Sequence, residues 1–143
     1  MKRSSSISDK KSSSLFNNVV LEIGSTLVRG GIAGECVPRF IIPTPFFNMH
    51  NSQGDDLSHV SIKMNCLEGI RLIFLEHLQI RSKDCNVLII ENMFAPTFFR
   101  DQLFNVLLNE MQVQSVCFQP DMLMPILATG KLFGVYFHSQ ILN

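Results

Sequence analysis

The stretch from Val19 to Arg39, VVLEIGSTLVRGGIAGECVPR, decides how the rest of the chain is read. Val19 to Ile23 is a short β-rich run that stops at Gly24-Ser25. Leu27 to Ile32 is a second run, and Arg39 to Ile42 a third, stopped by Pro43. Turn residues at Gly24–Thr26 and Gly34–Val37 separate them, so the three runs fold back as an antiparallel meander. The first tip has a chemistry of its own. Backbone N–H groups at a tight turn can point at a phosphate, and the Ser25 hydroxyl can donate to one of its oxygens. The basic Arg29 can neutralise charge, and the acidic Glu22 can hold the water shell of Mg²⁺, which prefers oxygen ligands. Gly24-Ser25 is equally ordinary as a hairpin turn, so these residues alone leave the phosphate site and the plain turn both open.

Beyond the meander, Pro43, Pro45, Asn48, Asn51, Ser52, Gly54 and Asp55 crowd a loop. Leu67, Ile70, Phe74 and Leu78 then stand at i, i+3, i+7 and i+11, one apolar stripe of a helix from about Ile62 to Leu78. Arg81 to Asn86 is polar and turns the chain. Val87 to Ile90 is an unbroken apolar run, the pattern of a strand buried on both faces. Pro96 opens another helix, with Thr97 at its start and Phe99, Leu103, Val106 and Leu107 along its inner stripe. Ser115 to Phe118 is a further strand. Pro120 suits a first helical position, Met122, Leu123, Ile126 and Leu127 follow at helical spacing, and Gly130 is a stop signal. Pro125 conflicts with that helix at a cost of about 3 kcal/mol, unless it still lies in the first turn. Phe133 to Phe137 reads as a last strand. Strands alternating with helices after an initial meander predict a mixed α/β sheet with helices packed on it.

The 143 residues suffice for one domain, and 46% apolar against 17% charged residues excludes a disordered chain. The zero net charge argues against nucleic acid or an anionic membrane as partner. It conceals an asymmetry. Residues 1–14 hold seven serines and Lys2, Arg3, Lys10 and Lys11 against Asp9, a net of +3, so the remainder carries −3. The expected organisation is a disordered basic Ser-rich tail over 1–14 and one domain over 15–143. Cys36, Cys66, Cys85 and Cys117 show no C-x-x-C spacing, and His50, His59, His77 and His138 stand at no ligand spacing to them. Reduced thiols are therefore expected, and no metal site. No apolar run approaches the roughly 20 residues of a membrane helix, and no apolar segment follows the N-terminal basic residues as in a secretory signal.

Three segments resemble the actin family. Its first phosphate hairpin has the pattern Asp-x-Gly-Ser, a basic residue, Gly-Phe-Ala-Gly and Pro-Arg; here stand Glu22-Ile23-Gly24-Ser25, Arg29, Gly31-Ile32-Ala33-Gly34 and Pro38-Arg39. VLIIENMFAPTFFRDQLFNVLLNEMQVQSV, from Val87 to Val116, is similar to the family's strand–E…P…R–helix segment, with Glu91, Pro96 and Arg100 on its marked positions. Pro120 to Phe137, with Gly130 and Gly134, is similar to the helix and strand before the second phosphate loop. The resemblance covers most of residues 19–137 and is weakest between Thr44 and Met64. It implies an actin-like (ribonuclease-H-like) five-stranded mixed sheet with flanking helices, an incomplete first lobe plus one stray strand. Pro38 to Pro43, Ser115 to Met124 and Arg100 are similar to a divergent branch placed at the pointed end of dynactin. That branch implies other dynactin subunits as partners, in the cytoplasm and cytoskeleton.

The same comparison weakens catalysis. Glu22 replaces the metal-site Asp and would crowd a hydrated Mg²⁺. Thr26 is β-branched where the hairpin tip would want positive φ. Asp121 stands where the resemblance places a water-orienting Gln, and His138-Ser139-Gln140 where it places a second Asp-x-Gly loop. Phosphoryl transfer rests on positioning and charge stabilisation. The expectation is therefore a non-enzyme with no cofactor, in which Glu22, Gly24, Ser25, Thr26 and Arg29 are remnants of a phosphate loop. The alternatives are a degenerate ATP-binding protein of the wider actin, sugar-kinase and heat-shock ATPase superfamily, or a truncated product. Uncovered apolar surface, including the Phe133 to Phe137 edge, is expected to favour a partner or self-association.

Overall fold

The computed structural model describes residues 16–44 and 59–130. The Ser-rich tail, most of the Pro- and Asn-rich loop, the Phe133 to Phe137 run and His138-Ser139-Gln140 lie outside them. Three strands come first: β1 (Asn17–Ile23), β2 (Leu27–Ile32) and β3 (Phe40–Pro43). Then follow α1 (His59–Leu72), β4 (Cys85–Glu91), α2 (Thr97–Asn105), β5 (Ser115–Pro120) and α3 (Met124–Thr129). The strands form one mixed sheet in the order β3-β2-β1-β4-β5. β1–β2 and β2–β3 are antiparallel, as hairpins must be, and β1–β4 and β4–β5 are parallel. The meander and the mixed α/β sheet expected from the sequence are both present.

The core lies on one side of this sheet. Val19, Leu21 and Ile23 of β1, Val28 of β2, Phe40 of β3 and Cys85, Val87 and Ile89 of β4 form one buried cluster with the helices. α1 and its continuation contribute Leu67, Ile70, Phe74 and Leu78, the four stripe residues, together with Cys66 and Ile73. α2 and its continuation contribute Phe99, Leu103, Val106 and Leu107. Burial pushes the Cys66 thiol up to about 11, so it packs as a neutral apolar group. Each helix ends in a wider, π-helical turn, Ile73–Leu78 after α1 and Val106–Glu110 after α2. Gln79 and Gln112, each at φ 55°, then reverse the chain in the left-handed region that glycine usually occupies.

Four expectations need correction. β4 is longer than Val87 to Ile90 and is not buried on both faces. Cys85, Val87, Ile89 and Glu91 are buried while Asn86, Leu88 and Ile90 are half-buried, because α1 and α2 both pack on the face that carries Cys85, Val87 and Ile89. β3 starts at Phe40 rather than Arg39, whose side chain turns back to Glu35 at 2.7 Å. Pro43 does not stop β3 but ends it from within, tolerable because β3 is an edge strand and needs no donor on its outer side. Pro120 is the last residue of β5, not the first of a helix. A 3₁₀ turn, Asp121–Leu123, intervenes, so Pro125 falls in the first turn of α3, where its missing N–H has no partner to lose. Gly130 caps α3 at φ 64°, as expected.

Gly30 explains how β3 is seated. A Cβ there would come within 2.6 Å of Leu21 Cδ2 and of Phe40 Cζ, so the Phe40 ring occupies the space a side chain would need. Phe40 also stacks on His77, with ring centroids 5.0 Å apart. Gly30→Ala is expected to destabilise the protein by about 1–3 kcal/mol through overpacking, measured as a lower urea midpoint; an unchanged midpoint would show that the Phe40 contact is not tight.

Candidate functional site

Parallel strands align their C-terminal ends. Ile23 pairs with Glu91, and Glu91 with Pro120, so Gly24, Asn92 and Asp121 follow at one rim of the sheet. After β1 the chain moves to β2 on one side, and after β4 it moves to β5 on the other. The β1–β4 boundary is therefore the topological switch point, where open α/β sheets place ligands. The hairpin residues singled out in the sequence sit at that rim.

Their geometry is that of a closed turn. The Gly24 N–H donates to Leu27 O at 3.0 Å, and the Thr44 hydroxyl donates to Gly24 O at 2.9 Å, while Thr44 N–H donates to Thr26 O at 2.9 Å. The tip is thus tied to the end of β3 through a residue 20 positions away. Ser25 and Thr26 are exposed. The strain expected at Thr26 does not arise: among the described non-glycine residues only Gln79 and Gln112 have positive φ. Glu22 and Arg29 are register partners across β1 and β2, with Arg29 Nη1 donating to Glu22 Oε2 at 3.5 Å. Both side chains are about half-exposed, so this pair contributes little to stability.

Asp121 lies two strands from the hairpin, roughly 10 Å at ordinary strand spacing, and its Oδ1 accepts from Met122 N–H at 2.7 Å. Glu91, named in the sequence only as a motif position, is the buried charge of the rim, 5% exposed. It accepts a hydrogen bond from Arg100 Nη2, and the Arg100 guanidinium stands 5.5 Å from the centre of the Phe118 ring. That bond and the Glu91 charge hold the Arg100 pKa above its ordinary value. A carboxylate, a cation and a ring thus tie the end of β4 to α2 and β5. Met93 and the 84% exposed Phe94 follow at once in the β4–α2 loop. A shallow depression lined by Asn65, Glu68, Gly69 and Leu72 belongs to α1 and includes no rim residue. Among the described residues no three His, Cys, Asp or Glu side chains come together as metal ligands, and no helix is long and apolar enough to cross a membrane.

No family model matches the chain. Over an alignment of 131 positions it is 28% identical to actin-related protein 10 of Dictyostelium discoideum, with 71% of this chain covered. The chain resembles an actin-related protein. It spans 28% of the length of that relative. Together with the five-stranded mixed sheet, this similarity supports an actin-related relationship and agrees with the resemblance carried by Glu22 to Arg39 and by Glu91, Pro96 and Arg100.

The Glu91–Arg100 tie has a direct test. Breaking a buried pair on one side leaves an uncompensated charge, whereas removing both partners does not. Arg100→Leu is therefore expected to lower the urea midpoint more than Arg100→Leu combined with Glu91→Leu; equal losses would show that Glu91 does not depend on Arg100.

Proposed function

We propose that this chain is a non-catalytic actin-related protein that acts through surface contacts. In this reading it is a structural subunit of the dynactin pointed-end complex, in the cytoplasm, supporting dynein-driven movement on microtubules. The hairpin at the switch point carries the reading. Its Gly24 N–H is consumed within the turn, its Glu22 carboxylate already faces Arg29, and Asp121 stands two strands away. A phosphate loop needs free donors and an unopposed base, and this one offers chiefly the exposed Ser25 and Thr26. The similarity to actin-related protein 10 supports the class of protein, and the exposed Met93 and Phe94 support a role made of contacts. Glu22, Gly24, Ser25, Thr26 and Arg29 are then a phosphate loop retained for its fold, without a cofactor.

Two measurements test the proposal. Tagged full-length chain expressed in cells should capture dynactin subunits, and their absence would overturn the dynactin role. Millimolar Mg·ATP should leave the melting temperature unchanged. A ligand at 100 times its dissociation constant adds about 2.7 kcal/mol to stability, a rise of several degrees for a domain of this size. Such a rise would favour the degenerate ATP-binding protein instead.

A further inference from the structure

Thr44 closes the hairpin tip with two hydrogen bonds, from its hydroxyl to Gly24 O at 2.9 Å and from its N–H to Thr26 O at 2.9 Å. It stands just past the end of β3, an edge strand whose outer side pairs with nothing among the described residues. Pro43 before it is exposed, and Thr44 itself is partly so. Pro45 follows in the sequence. Of the six prolines it is the one preceded by a serine or threonine; the others follow Val37, Ile42, Ala95, Gln119 and Met124. A residue before proline is held extended, and a strand edge is extended already. Thr44 is thus a hydroxyl in an extended segment, with proline next to it and no strand on its outer side. Proline-directed protein kinases take such a segment as substrate.

We propose that Thr44 is a phosphorylation site for a proline-directed serine/threonine kinase, and that its modification unlatches the hairpin tip. Thr44 Oγ bonds to the γ-phosphorus of ATP, the phosphorus–oxygen bond to ADP breaks, and the hydroxyl proton passes to the kinase's catalytic carboxylate. Reaching Oγ requires opening only the two hydrogen bonds of Thr44, at the end of an edge strand, where a fold opens most readily. The product cannot close the tip again. The esterified Oγ has no proton to donate, and a phosphate of charge about −1.5 to −2 repels the partial negative charge of the Gly24 carbonyl. The bond from Gly24 N–H to Leu27 O, 3.0 Å long, lies in the same turn, so the turn loses its tie to β3 and loosens. The latch works within this chain alone and does not depend on the dynactin reading.

The test treats the purified full chain with a proline-directed kinase and Mg·ATP, and maps phosphate by mass spectrometry. Thr44 should carry phosphate. Thr44→Ser should carry it at the same position, because serine keeps a hydroxyl before Pro45, whereas Thr44→Val and Pro45→Ala should carry none there. Phosphorylation should speed amide exchange at Gly24 about tenfold, the loss expected for one hydrogen bond. Thr44→Val, of similar shape but without the donor, should speed it with no phosphate present, and circular dichroism checks that each variant keeps the fold. Absence of phosphate at Thr44, including phosphate confined to the serines of residues 1–14, would overturn the site. Equal labelling of Thr44 in Pro45→Ala would overturn the class of kinase. Phosphate on Thr44 with unchanged exchange at Gly24 would overturn the latch.

Discussion

Seven residues of β1 lie alongside seven of β4, from Asn17 against Cys85 to Ile23 against Glu91, the longest pairing in the sheet. It is also a pairing between segments some 68 residues apart, and a parallel one, so it forms only when the intervening chain crosses back over the sheet. α1 makes that crossing, and its stripe of Leu67, Ile70 and Phe74 is buried against the seam it completes. The meander and the β4–α2–β5 unit are each more local. The β1–β4 seam joins them into one sheet and one core.

The seam also sorts the charged groups. Residues alternate between the two faces of a strand, so Glu22 and Arg29 belong to the open face, while Glu91 belongs with Val87 and Ile89 to the helix face. The rim therefore has two acid–base pairs on opposite sides of the sheet. The outer pair is solvated and weakly held. The inner pair has a buried acid and a guanidinium set over an aromatic ring. Glu22 and Glu91 thus each face a base, while Asp121, also at the rim, accepts the Met122 N–H. The open face repeats the pattern at its other end, where Asn86 donates to Asn18 at 3.0 Å and Ser115 donates to Asn86 at 2.8 Å across three parallel strands.

Much of this was readable in the residues because its causes are local. The period of Leu67, Ile70, Phe74 and Leu78 follows from 3.6 residues per turn, the hairpins from turn chemistry at Gly24 and Gly34, and the end of α3 from Gly130. The hairpin residues Glu22, Gly24, Ser25, Thr26 and Arg29 were legible as a group, because a single turn brings them together. Their state was not. Thr44 ties down the tip from a position 20 residues away, and no local pattern marks that bond.

Tertiary structure alone decided the rest. Val87 to Ile90 reads as a strand covered on both faces, since Leu88 and Ile90 are as apolar as Val87 and Ile89. Only the placement of α1 and α2 on one common face determines which pair is buried. Pro43 and Pro120 read as boundaries, yet each ends a strand from within, because a proline's missing N–H matters only where a neighbour would accept it. Glu91 and Arg100 read as two positions of a motif, and packing beside Phe118 made them a buried charge and its counterion. Local pattern specifies an element through interactions within a few residues. Its neighbours, its buried face and the partners of its charges depend on contacts between residues far apart in the chain, which form only when the sheet closes.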